Sequence, residues 1–86
     1  MPKFFFHVVN GAFMPDAVGT ECASADEVKA LAIKAAGEMI TEQGIKVWET
    51  GNWHMFVCDE QNRTHLKIAF QAEDMTGALS GEAASG

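Results

Sequence analysis

A helix with both of its ends marked sits in the middle of this chain and limits what can be built around it. Ser24-Ala25-Asp26-Glu27 is a capping box: the Ser24 hydroxyl can accept the Glu27 amide, and the Glu27 carboxylate can reach back. Asp26 and Glu27 also place negative charge at the positive end of the helix dipole. Ala-rich sequence then runs to Gln43, and Gly44 is a natural C-terminal stop. Val28, Leu31, Ala32, Ala35 and Met39 make one apolar stripe at helical spacing. Ile33, Ala36, Gly37 and Ile40 make a second, about a third of a turn round. A helix on one sheet does not need so wide an apolar face. Ile45, Val47 and Trp48, just downstream, are the nearest residues that could cover the second stripe.

Both flanks of the helix read as β-hairpins. Lys3 to Val9 is aromatic and β-branched, which suits a pleated surface. Asn10-Gly11 follows, the pair that a type I′ turn favours because both positions need positive φ. A two-residue turn there pairs Val9 with Ala12, Val8 with Phe13 and His7 with Met14. Pro15 ends the second strand early, and a loop through Gly19 leads to the helix. After the helix, Trp53 to Asp59 and Thr64 to Phe70 form the second hairpin, with Leu66, Ile68 and Phe70 on one face. For Trp53, Met55 and Val57 to share that face, the loop must hold an even number of residues. Beyond Gln71 the sequence turns to Ala, Gly, Ser and Glu and is expected to be a disordered tail, with a helical turn around Met75 to Leu79 as the alternative. The expected fold is α+β: a single ββαββ domain over residues 1–70, an antiparallel sheet with one helix on one face, and a tail over 71–86.

Composition removes several classes of partner. The formal net charge is −6, with six basic and twelve acidic residues. Gripping a phosphate backbone or an anionic membrane needs a basic patch, and scattered cations in an acidic field make neither. Nucleic acid and membrane are therefore not expected partners. The apolar run Phe4-Phe5-Phe6-His7-Val8-Val9 is too short for a signal peptide or a membrane span. Without a secretion signal, the two cysteines, Cys22 and Cys58, are expected as free thiols in a reducing cytoplasm.

Met-Pro-Lys-Phe-Phe-Phe-His-Val at the start, the turn at Asn10-Gly11, Asp16 with Gly19-Thr20-Glu21, and Trp53-x-Met55-x-Val57-x-Asp59-Glu60 ending in Leu66-x-Ile68-x-Phe70 carry a resemblance. Over roughly residues 1 to 70 the chain resembles a family of small uncharacterised proteins of rhizobial-type alphaproteobacteria. The string Phe-Phe-His-Val after Met-Pro is the most specific part. The chain departs from the family where a glycine is usual in the last hairpin turn; here Asn62 stands, a residue that also tolerates the left-handed region. The resemblance implies the same fold and a bacterial cytoplasmic home, and it supplies no catalytic residues.

With Phe4, Phe6 and Val8 toward the helix, Phe5, His7 and Val9 point to the opposite sheet face, with His54, Phe56, Cys58, His65 and Lys67. An even loop puts Cys58 directly across from His65. Histidines and a thiol on one face raise a metal site or a Cys–His pair as the sharper alternatives. No short C-x-x-C or H-x-x-x-H spacing supports the first. Mid-strand Cys58 has no helix N-terminus to lower its pKa for the second, and a domain this small seldom encloses a cleft. No cofactor and no catalytic activity are expected. Phe5, His7, Val9, His54, Phe56, Cys58 and His65 are the candidate interaction face, because one helix leaves that side of the sheet greasier than water tolerates. The expectation is a protein-interaction module, self-associating as a homodimer, with a small His/Cys enzyme or metal-binding protein as the alternative.

Overall fold

The computed structural model describes residues 2–76. Strands β1 (Lys3–Val9), β2 (Phe13–Met14) and β3 (Thr20–Glu21) precede helix α1 (Ala25–Gln43) and a short helix α2 (Lys46–Thr50); β4 (Asn52–Cys58) and β5 (Thr64–Gln71) follow. Every pairing is antiparallel, in the order β2-β1-β4-β5, with β3 also paired to β1. The α+β architecture expected from the sequence is the one that forms, with β3 and α2 as additions to it. The stretch expected as a tail lies outside the described residues from 77 onward, as does most of the alternative turn around Met75 to Leu79.

The cap on α1 behaves as its sequence dictates. The Glu27 amide donates to Ser24 Oγ at 3.1 Å, and Glu27 Oε1 reaches past the cap to accept the Ala23 amide at 2.6 Å. At the other end Gly44 takes φ 57°, and its amide donates to Ile40 O. The buried seam of α1 is Val28, Ala32 and Ala36, which runs between the two stripes seen in the sequence. Two alanines in that seam let the helix lie close over Trp53, Met55 and Val57, the large buried side chains of β4. Phe4, Phe6 and Val8 of β1 join them, with Leu66, Ile68 and Phe70 of β5 half-buried at the margin. The backbone of the helix lies nearer to β4 and β5 than to β1.

Two local expectations need correction. Ile45 and Trp48 do not cover the second helix stripe: they are 81% and 54% exposed, and Ile33 remains 65% exposed. Gly44 and Gly51, both at positive φ, turn α2 so that only Val47 points inward. The first hairpin is one residue looser than expected. A type I′ turn would need positive φ at Asn10 as well as Gly11, but only Gly11 has it, and the Asn10 amide closes on Ala12 O. The pairs are therefore Val9 with Phe13 and Val8 with Met14, which sends Phe13 to the side away from the helix.

The second hairpin keeps the expected faces by an unexpected route. Its loop is Glu60-Gln61-Asn62, closed by Asp59 N to Arg63 O and Asn62 N to Asp59 O, with Asn62 at φ 64°. An odd loop alone would flip the strand. Cys58 pairs with Thr64 while Val57 pairs with Leu66, so His65 is one extra residue in a β-bulge that restores the parity.

Gly19 holds the loop before β3 against the sheet. It has φ +77°, and a Cβ there would stand 2.8 Å from Lys3 Cγ and from Phe5 Cε2. Gly19→Ala should therefore lower stability by about 1–3 kcal/mol, read as a fall in the urea midpoint at unchanged slope. An unchanged midpoint would mean the loop is free of both side chains.

Candidate functional site

The side of the sheet away from α1 is built by alternation. Phe5, His7 and Val9 interleave with the core residues Phe4, Phe6 and Val8 of β1, and His54, Phe56 and Cys58 interleave with Trp53, Met55 and Val57 of β4. Cross-strand pairing sets Phe5 beside Cys58, His7 beside Phe56 and Val9 beside His54. Phe13 enters from β2 beside Val9, and Lys67 and Ala69 from β5 beside Phe56 and His54. The shifted first hairpin thus adds Phe13, 61% exposed, which the expected register would have turned inward.

The rings tile this face. Phe5 and His7 stack at 6.3 Å with planes 7° apart, His7 meets Phe13 at 5.7 Å, and His54 stacks on Phe56 at 6.3 Å. These separations lie within the range in which aromatic pairs attract. Lys67 Nζ stands 5.7 Å from the Phe56 ring centroid, a cation–π contact at the patch margin. Six of the seven residues expected on this face are together on it. Cys58 is buried there rather than displayed.

His65 is the exception. The bulge turns it to the helix side, where its ring meets Phe4 edge-on at 5.6 Å and 87°. Its Nε2 is 2.8 Å from Asp59 Oδ2. The Cys58–His65 pair does not form; Cys58 Sγ instead lies 3.5 Å from Thr64 Oγ1. Asp59 also accepts the Gln61 and Arg63 amides and Arg63 Nε. His65, followed by the Arg63 amide, holds the Asp59 carboxyl well below the usual carboxylate range. The other thiol, Cys22, is fully buried, and burial followed by the charge of Glu27 pushes its pKa up, away from the thiolate a nucleophile needs. Among the described residues no three His, Cys, Asp or Glu side chains are grouped to hold a metal.

One residue organises the margin of the face. Asp16 Oδ2 accepts the Phe6 amide at 3.1 Å, and Oδ1 accepts the Val18 and Gly19 amides at 3.0 Å each. The Asp16 amide donates in turn to His7 Nδ1 at 3.0 Å, which fixes the tilt of that ring within the patch. In the sequence Asp16 stood only as the residue after Pro15 and as part of the family resemblance; an acidic side chain followed three residues later by glycine was the missed signal for a loop tied by its own carboxylate.

Two open clefts flank α1. One, of about 480 Å³, lies between the helix and β1 and is lined by Phe6, Val8, Met14, Leu31, Ala35 and Met39. The other, of about 530 Å³, lies by α2 and is bordered by Trp53. The Trp53 indole nitrogen is buried without a hydrogen-bond partner among the described residues.

Burial pushes the Asp16 carboxyl up, but the Gly19, Phe6 and Val18 amides and nearby His7 outweigh it and hold it below its ordinary value. A carboxylate lowered on folding stabilises above its unfolded pKa and loses that contribution as pH falls. Asp16→Ala should cost about 1–3 kcal/mol at neutral pH, and the gap to wild type should close as pH drops below about 4. Urea titrations of both proteins across that range check it; a gap independent of pH would show that the carboxylate charge contributes nothing.

No helix among the described residues is long and apolar enough to cross a membrane. Comparison with curated proteins and with solved structures finds no match to either. The family model that does match covers residues 3–71, the whole span from the first residue of β1 to the last of β5, and the chain belongs to that family, DUF6894, a domain of unknown function.

Proposed function

We propose that this domain is a small non-catalytic protein-interaction module that works as a self-associated pair in the bacterial cytoplasm and offers its open sheet face to protein partners. The observation that supports this function is the contiguous patch of Phe5, Val9, Phe13 and Phe56, interleaved with His7 and His54, on the side α1 leaves uncovered. A continuous aromatic surface of this kind on a small domain marks a place where another protein docks. Its rings are already stacked on one another, so little side-chain freedom remains to be lost on binding. The imidazoles give the patch hydrogen-bonding edges, and Lys67 gives it one charged border. The two buried free thiols suit a reducing compartment.

A photo-reactive phenylalanine analogue placed at Phe13 or at His54 tests the face in cells that express the chain naturally. Both positions should give discrete adducts heavier than the chain's own dimer, and Lys34, on the outer side of α1, should give none. Phe56→Ser should remove the adducts while the circular dichroism spectrum is kept. Absence of adducts from both face positions would sink the docking surface. Light scattering tests the pair: a mass twice the 9.3 kDa of the chain is expected, and the single mass across micromolar concentrations would refute self-association.

A further inference from the structure

The two edges of the sheet are finished differently. The outer edge of β1 is engaged from end to end: Cys22 N donates to Pro2 O, Phe6 N to Asp16 Oδ2 and Asn10 N to Ala12 O, with β3 and β2 paired between them. The outer edge of β5 pairs with no strand among the described residues. It is long, eight residues, and carries neither proline nor a bulge beyond His65. Natural sheets guard such edges or use them.

The direction of its free groups follows from the ladder. Ala72 N donates to Gly51 O at 2.9 Å, and Phe70, Ile68 and Leu66 follow at two-residue spacing opposite Trp53, Met55 and Val57. Their main-chain groups therefore face β4, and those of Lys67, Ala69 and Gln71 face outward. Above this edge, Ile33 of α1 lies exposed beside Leu66 and Ile68, around a hollow of about 270 Å³. One turn on, Gly37 has open space over its Cα.

We infer that β5 pairs antiparallel with β5 of a second copy, making one continuous sheet and bringing the two α1 helices together along Ile33 and Gly37. This rests on the self-association proposed above and names the surface that carries it. Pairing centred on Ala69 is the symmetric register that uses all three outward residues of both copies, with Lys67 opposite Gln71. Charge is complementary in that register, because Lys67 falls diagonal to Glu73 of the second copy, away from its Lys67. On the helix side Ile68 falls opposite Phe70, so the half-buried margin of each core is covered by the other. The second copy thus covers Ile33 and Gly37, the part of the second stripe that α2 leaves bare, and the aromatic face stays open on the far side of the doubled sheet.

Hydrogen exchange on the full chain, followed by NMR at high and low concentration alongside light scattering, tests this. The Lys67, Ala69 and Gln71 amides should be protected where the mass is dimeric and should exchange freely on dilution. Ile33→Glu should raise the dimer dissociation constant at least about tenfold with the fold kept. Ala69→Pro removes an outward amide without touching the β4 ladder and should give monomer, whereas Phe56→Ser should leave the dimer intact. A dimeric mass with those three amides unprotected, or a dimer untouched by Ile33→Glu, would overturn edge pairing and leave self-association through another surface. A monomer throughout, whether the amides are protected or free, would overturn both. Should Ala69→Pro fail to fold, the exchange pattern and Ile33→Glu still decide.

Discussion

Everything on one side of this domain hangs on the Asp16 carboxylate and the edge of β1. The strands that flank that edge, β2 and β3, are two residues each, too short to hold a sheet by their own ladders. Between them the chain loops out through Pro15 to Gly19 and would leave the Phe6 amide unpaired. Asp16 stands where a strand carbonyl would stand, taking that amide with one oxygen and the loop's own amides with the other. A single side chain thus replaces the missing middle of a strand. Because its own amide bonds to His7, the same residue joins the finished edge to the aromatic face.

The other side is governed by size. Ala32 and Ala36 bring α1 down onto Trp53 and Met55, and the helix backbone lies nearer to β4 and β5 than to β1. That offset leaves Phe6, Val8 and Met14 beside an open cleft on one flank, and it brings Ile33 out over the bare β5 edge on the other. The apolar breadth of the helix, which looks excessive for one sheet face, is used on three sides: sheet below, cleft on one flank, strand edge on the other.

Alternation and capping were the legible parts of the sequence. The Ser24 box, the Gly44 stop and the two-residue period of β4 and β5 depend on neighbours a few residues away, so local pattern was sufficient for them. What escaped was whatever depended on a count of one. Asn10-Gly11 marked a turn correctly, but whether Ala12 belonged to it was settled by the φ of Asn10, and that choice carried Phe13 to the open face. The parity required of the second hairpin held, but a three-residue loop plus one bulged residue meets it as well as an even loop does. That substitution took His65 out of the candidate site. Asp16 escaped for a different reason: the glycine three residues on signals only its bonds within the loop, and no local pattern announces Phe6 and His7, its partners on another strand.

The His65 bulge has a consequence for how chains of this fold can change length. Loop Glu60–Asn62 and the bulge are two halves of one count, and only their sum keeps Leu66, Ile68 and Phe70 under the helix. A deletion in the loop is silent if the bulged residue is lost with it and ruinous if it is not. Length variation among descendants of this chain should therefore come in matched pairs at this end of the sheet, with a histidine that vanishes whenever its turn shortens.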